Sequence, residues 1–439
     1  MLALRDRLTL PAGLVGQSAA ALSLKVLAIG FGFLYAALLA RLLGPTGYGE
    51  VAVSLSLARV LADLAALGMG ALAVREMAAL RGAGAKTELT SFRRQALWIA
   101  LITSTVVATA LMLWAVLVRH SDSFAIAALL VPPLALLTVL CGIANGERRI
   151  LASQIPLNAV RWLVMLPVLA ALYLLGWAIA VGEVLILNLL GLLVALAAAI
   201  WLHVRSRPLR TAEAATPAPS TLVRRALPFL GLTFSTVACA EIYTLLVGFL
   251  AGSEEAGLYQ PIARLAALML IGNEALNVGL GPRIAEFSAG KGRKPLADLM
   301  PRAALASLAV TFAFGLAICL LSPLILSIFG PEFQVYRNYL YLILFAQVIN
   351  CASGAAALFL TMTGSVALRL KLQFAVIAVQ LSVGTALISA YGGRGAIFAL
   401  ASTIVISAIM HCLAARRVSG VDCSIVPLVR SSSTSLQGA

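Results

Sequence analysis

The chain has 439 residues, of which 62% are hydrophobic and only 11% charged, with a formal net charge of +15 at pH 7. Water-soluble domains hold about 25% charged and 45–50% apolar residues, so most of this surface must be solvated by lipid, and a soluble enzyme or binding module is excluded. The positive charge alone would suit nucleic acid, but its placement along the chain gives it a different role.

A spanning helix needs about 20 largely apolar residues. Twelve windows qualify: 16–40, 47–72, 95–118, 124–144, 153–174, 179–202, 226–250, 257–281, 303–328, 336–362, 372–390 and 395–413. The basic start MLALRDRLTLPAG precedes a first window longer than the apolar core of a signal peptide, which predicts an uncleaved first span. With that start inside, 24 of the 32 Lys and Arg fall in segments on the cytoplasmic side. Four lie in opposite loops (Arg41, Arg119, Arg337, Arg394) and four inside spans (Lys25, Arg59, Arg161, Arg264). The positive-inside rule therefore holds at every alternation and predicts cytoplasmic termini. It also accounts for the net charge without nucleic acid as a partner.

The intramembrane charges begin on span 1 with Lys25. Span 2 carries Arg59 and Asp63 within SLSLARVLADLAALGMG (54–70). A charge at the centre of a membrane helix costs about 2.5–3.5 kcal/mol on insertion scales, so both residues should face protein. Their i,i+4 spacing puts them on one helix face, either as a structural pair or with Arg59 available to a ligand. Pro132–Pro133 in span 4 and Pro167 in span 5 permit kinks. Arg161, near one end of span 5, is expected to snorkel.

The longest internal polar stretch, VRSRPLRTAEAATPAPSTLVRR, lies between spans 6 and 7 and reads as a cytoplasmic linker. The expected organisation is an N-terminal six-helix half (1–203), the linker (204–225), a C-terminal six-helix half (226–417) and a disordered cytoplasmic tail (418–439). Thr233, Thr236, Glu241 and Thr244 share one side of span 7. Glu241 has no basic residue at i±3 or i±4, so it can bind H⁺ or Na⁺ or pair with Lys25 across spans. On span 8, Asn273, Glu274 and Asn277 add a second polar patch beside Arg264, and Glu274 can serve coupling or pair with that arginine.

The six cysteines are scattered through apolar runs and the three histidines are far apart, so neither type suggests a metal or redox site. No cofactor is expected. The two halves repeat weakly: LLARLLGPTGYGEVAVSLSLARVLADL parallels LLVGFLAGSEEAGLYQPIARLAAL, and GIANGERR parallels MTGSVALRLK. Six crossings per half orient both halves alike, as in transporters whose repeats are related by an axis along the membrane normal. The fold class expected is an all-α integral membrane protein, about twelve transmembrane helices in two pseudo-symmetric six-helix bundles around a central cavity.

The run from Leu38 to Glu76, with Leu43, Gly44, Pro45, Tyr48 and Gly49 at the turn and Leu67, Gly68, Arg75 and Glu76 further on, resembles the opening of polysaccharide-biosynthesis flippases. AGLYQPIARLAAL and FGPEFQVYRNYLYLILFAQVIN followed by MTGS resemble the same family. That family sits in the multidrug/oligosaccharidyl-lipid/polysaccharide (MOP) exporter superfamily, whose lipid II flippases place cations on their first, second and eighth helices. The resemblance implies movement of an undecaprenyl-pyrophosphate-linked oligosaccharide across a bacterial inner membrane, for exopolysaccharide, capsule or O-antigen. Polysaccharide polymerase or export proteins would be partners, and the protein itself a monomer.

Lys25, Arg59 and Arg264 then become candidate pyrophosphate ligands, since arginine donates to phosphate in a bidentate way. Asp63, Glu241 and Glu274 are candidates for coupling or charge pairing. Thr233, Thr236, Thr244, Asn273 and Asn277 would line the cavity. The runner-up reading is a cation-coupled multidrug antiporter on the same fold. A membrane glycosyltransferase or ligase is disfavoured, because the opposite loops are short and contain no D-x-D.

Overall fold

The computed structural model describes residues 12–82, 86–204, 218–270 and 293–427, together with 273, 276–277, 280–281 and 283–284. Every regular element among them is helical. Among the described residues, nine helices are long and apolar enough to cross a membrane. Two of these, 39 and 54 residues long, exceed one crossing, because about 20 residues cover the hydrocarbon core. Each is broken once by a glycine with positive φ, at Gly44 and at Gly392. The breaks fall where the sequence predicts the junctions between spans 1 and 2 and between spans 11 and 12. Of the twelve expected spans, only the eighth runs partly outside the described residues.

The first break is local chemistry. Gly44 has φ 66° and Pro45 follows it. A glycine in the left-handed region ends a helix at no steric cost, and a proline at the first position of the next helix gives up an N–H that has no partner there. The dipeptide thus closes one crossing and opens the next.

The chain forms two compact units, residues 1–237 and 238–439. In the first, α1 (Ala12–Ala65) contains crossings 1 and 2, and α2 (Met69–Gly82) continues after a turn at 66–68. Then come α3 (Lys86–Trp114), α4 (Asp122–Gly146), α5 (Ile150–Ile155), α6 (Arg161–Leu175) and α7 (Val181–Val204). Helix α4 packs against α1, α2, α3 and α7 and is the hub of this unit. A Cβ on its Gly142 would lie 2.2 Å from the Gly70 carbonyl oxygen of α2. Small residues therefore set the α2–α4 crossing distance, as is common where lipid gives helices no hydrophobic drive to associate.

Between α4 and α5, the basic segment GERR is organised by one buried carboxylate. Glu147 is 5% exposed and forms an ion pair with Arg93, with Arg149 at 3.9 Å. Arg81 donates to the Glu147 carbonyl oxygen, and Arg149 Nη2 donates to the Leu202 carbonyl oxygen at 2.7 Å, where α7 ends. The loop is pinned rather than simply solvated.

Helix α8 (Pro219–Leu250) starts in the first unit and enters the second, which continues with α9 (Ser253–Leu268), α10 (Arg293–Ser327) and a 3-10 helix (Pro331–Tyr339). Then follow α11 (Leu340–Ala352), α12 (Ala356–Met362) and α13 (Val366–Ser419). The expected tenth span is segmented, with a break at Ser353–Ala355. Residues beyond 417, expected to form a disordered tail, pack as far as they are described. Val421 and Cys423 belong to a core cluster with Met300, Phe359, Leu360 and Ala415, and the Ile425 N–H donates to the Ala352 carbonyl at 3.0 Å. Burial pushes the Cys423 thiol up to about 12.

Candidate functional site

The second arm of α1, residues 45–65, carries Arg59 and Asp63, both half-buried. The helix then stops: Leu67 and Gly68 take positive φ before α2 resumes. The expected span 47–72 is therefore interrupted two residues beyond Ala65, at a left-handed turn that ends in a glycine. A Cβ on Gly68 would lie 2.4 Å from the Leu230 nitrogen and 2.8 Å from the Ala226 carbonyl oxygen, so the backbone of α8 occupies that space.

The polar groups released by the break find partners across helices. Thr103 Oγ1 on α3 donates to the Ala65 carbonyl oxygen at 2.6 Å. The Thr233 hydroxyl on α8 hydrogen-bonds to the Asp63 carboxylate, whose Oδ2 is buried without a hydrogen-bond partner among the described residues. The guanidinium of Arg75, on α2, lies 6.0 Å from the centre of the Phe229 ring of α8. Asp63 thus sits at the end of an interrupted crossing, with one of its carboxylate oxygens buried.

A second polar centre in this unit was not anticipated. Asn188, 1% exposed on α7, accepts from Arg161 Nη2 at 2.7 Å. Its amide donates to the Tyr35 hydroxyl at 2.7 Å and to the Val184 carbonyl oxygen at 2.8 Å. The Arg161 guanidinium also lies 5.2 Å from the Trp162 ring centre, and Trp162 meets Tyr35 at 5.3 Å between rings. Arg161 therefore turns into the bundle instead of snorkelling out of it, joining α1, α6 and α7. The only signals for it in the sequence are an asparagine in LILNLLG and a tyrosine in an apolar run, neither of which names a partner.

In the second unit, Arg264 is half-buried on α9. One turn earlier Gln260 donates to the Thr244 hydroxyl at 2.7 Å, which ties α9 to α8 and leaves Thr244 buried. Glu241 is half-buried on α8. Tyr243 donates to the Ala399 carbonyl oxygen at 3.0 Å and meets the Thr403 hydroxyl at 2.5 Å, while Gln380 donates to the Cys239 carbonyl at 3.2 Å. Asn273 Oδ1 accepts from Ser307 at 2.7 Å, and Asn277 is half-buried. In the first unit, Thr236 is exposed and bonds its own helix at Leu232. Glu274 and the side chain of Lys25 lie outside the described residues. Among the described residues, no three His, Cys, Asp or Glu side chains converge as a metal site would require.

The family model for polysaccharide biosynthesis proteins matches residues 15–287. The chain belongs to that family. Comparison with curated proteins returns no match. Among solved structures, this polysaccharide biosynthesis protein is similar to an inward-facing multidrug resistance MATE family transporter of the MOP superfamily. That match has 15% identity and a TM-score of 0.68, over 89% of this chain and 94% of that one. It is also similar to the MATE multidrug transporter DinF-BH (15%, TM-score 0.60, 94% and 97% covered). A third is a MOP superfamily transporter from Pyrococcus furiosus Vc1, described as having a binding pocket of reverse polarity (17%, TM-score 0.57, 92% and 94% covered). At these identities the likeness establishes the fold: this family member is an all-α, multi-pass membrane protein built as the MOP transporters are.

Proposed function

We propose that the protein flips an oligosaccharide linked to undecaprenyl pyrophosphate from the cytoplasmic to the outer leaflet of a bacterial inner membrane, supplying repeat units for a surface polysaccharide. The observation that carries the reading is the coincidence of membership in the polysaccharide biosynthesis family with half-buried arginines at equivalent places in the sequence repeat, Arg59 and Arg264. A pyrophosphate and a sugar head cannot cross hydrocarbon unaided, so the path must be wet and cationic. In this reading Lys25, Arg59 and Arg264 line a cavity that opens to one leaflet at a time, and both chain termini are cytoplasmic. Asp63, held by Thr233 beside a helix break, is the carboxylate best placed to couple transport to H⁺ or Na⁺, with Glu241 and Glu274 as further candidates.

Deleting the gene tests the substrate class. The expected result is a lipid-linked oligosaccharide accumulating in the cytoplasmic leaflet together with loss of a surface polysaccharide. Unchanged surface glycans with reduced drug efflux would replace this reading with the antiporter.

A further inference from the structure

Two apolar grooves, one in each unit, share a design that the transport reading does not use. The first, about 240 Å³, is lined by Leu97, Trp98 and Leu101 of α3, Leu140 of α4 and Leu196 of α7, with Arg94 at one end. The second, about 400 Å³, is lined by Leu368 and Leu372 at the start of α13 and by Met410, Leu413 and Ala414 near its end, with Arg417 at its mouth. Each lies within one unit. Arg94 follows two crossings and Arg417 follows twelve, so both stand at the basic ends of their helices.

Both arginines come from an Arg–Arg doublet that divides its labour. Arg93 turns inward to the buried Glu147, while Arg94 is exposed and makes no ion pair with another described residue. Arg416 is drawn to Asp422 at 3.8 Å, while Arg417 is exposed and likewise has no carboxylate partner among the described residues. One turn deeper than Arg94 stands Trp98, 57% exposed, and Trp201 at the end of α7 is 55% exposed. Tryptophan prefers the headgroup boundary, which sets Arg94 at phosphate height. From Arg94 to Leu101 the groove runs inward for roughly 10 Å at 1.5 Å per residue.

We propose that each groove seats an anionic glycerophospholipid, its acyl chain on the leucines and its phosphate on Arg94 or Arg417. Water has no partners in such a slot, and a guanidinium at its mouth without a carboxylate selects a phosphate through charge-assisted hydrogen bonds. The proposal is independent of what the protein transports.

Native mass spectrometry of the full-length protein, titrated with phosphatidylglycerol or chain-matched phosphatidylcholine, tests it. Wild-type protein should bind phosphatidylglycerol preferentially. Arg94→Gln and Arg417→Gln should each weaken one site about fivefold, following the usual contribution of one basic residue near an anionic surface, and the double variant should lose the preference. Arg94→Lys should retain most of it, and Arg225→Gln, an exposed charge that lines neither groove, should leave binding unchanged. Equal binding of the two lipids, or an equal loss in Arg225→Gln, would overturn the proposal. Undecaprenyl phosphate binding more tightly than phosphatidylglycerol in an Arg94-dependent manner would overturn the choice of lipid.

Discussion

A methyl group on Gly68 would stand 2.4 Å from the Leu230 nitrogen, with φ already at +71°. Neither backbone can yield cheaply, so Gly68→Ala should cost about 1–3 kcal/mol, the usual range for overpacking, before left-handed strain is added. Gly82, whose added Cβ meets no described residue within 4 Å, is the matched control. Thermal unfolding in detergent should show a clear fall in Tm for Gly68→Ala and little change for Gly82→Ala. Asn188 makes the same point for polarity. Asn188→Leu removes the acceptor of Arg161 and a partner of Tyr35 in a buried site, and should destabilise by about 2–3 kcal/mol, the scale for a lost bond to a charged group. Asn188→Asp, which keeps an acceptor for the guanidinium, should lose less.

At the scale of the element, local chemistry was readable and chemistry supplied by other helices was not. Gly44–Pro45 announces a helix end and a helix start in two letters, and the first junction fell there. AALGMG reads as continuous helix, and nothing in it says that the backbone of α8, some 160 residues further on, leaves no room for a side chain at Gly68. Nothing in the sequence of the basic loop GERR says that Glu147 will be buried beneath Arg93. The polar stretch SGVDCSIVP reads as a tail, yet Val421 and Cys423 fill a core. That last difference is testable by labelling. In a variant whose other five cysteines are replaced by serine, Cys423 should resist maleimide at pH 7–8 in the folded protein and react on unfolding. The buried thiol, pushed up to about 12, holds almost no thiolate in that range. Rapid labelling of the folded protein would show that this segment is not packed.

For the whole molecule, composition alone dictated a lipid-solvated helical chain, and the apolar windows marked its expected crossings. The candidate charges were legible as exceptions to apolarity: Arg59, Asp63 and Arg264 stand out because hydrocarbon penalises them. Their partners were less so. Asp63 was expected to look four residues back along its own helix, and the structure adds Thr233 from another. Arg161 looked peripheral by its position near a span end and proved central to a bundle.

The central claim, that arginines on the second and eighth crossings carry a pyrophosphate, is tested by reconstituting purified protein into liposomes. These would be loaded with the lipid-linked oligosaccharide that accumulates in a deletion strain, and its exposure to an external glycosidase followed. Wild-type protein should expose the inner-leaflet pool, whereas Arg59→Ala and Arg264→Ala should each lower the rate at least tenfold at unchanged Tm, with Arg→Lys variants partly active. Wild-type rates in both alanine variants would contradict the account.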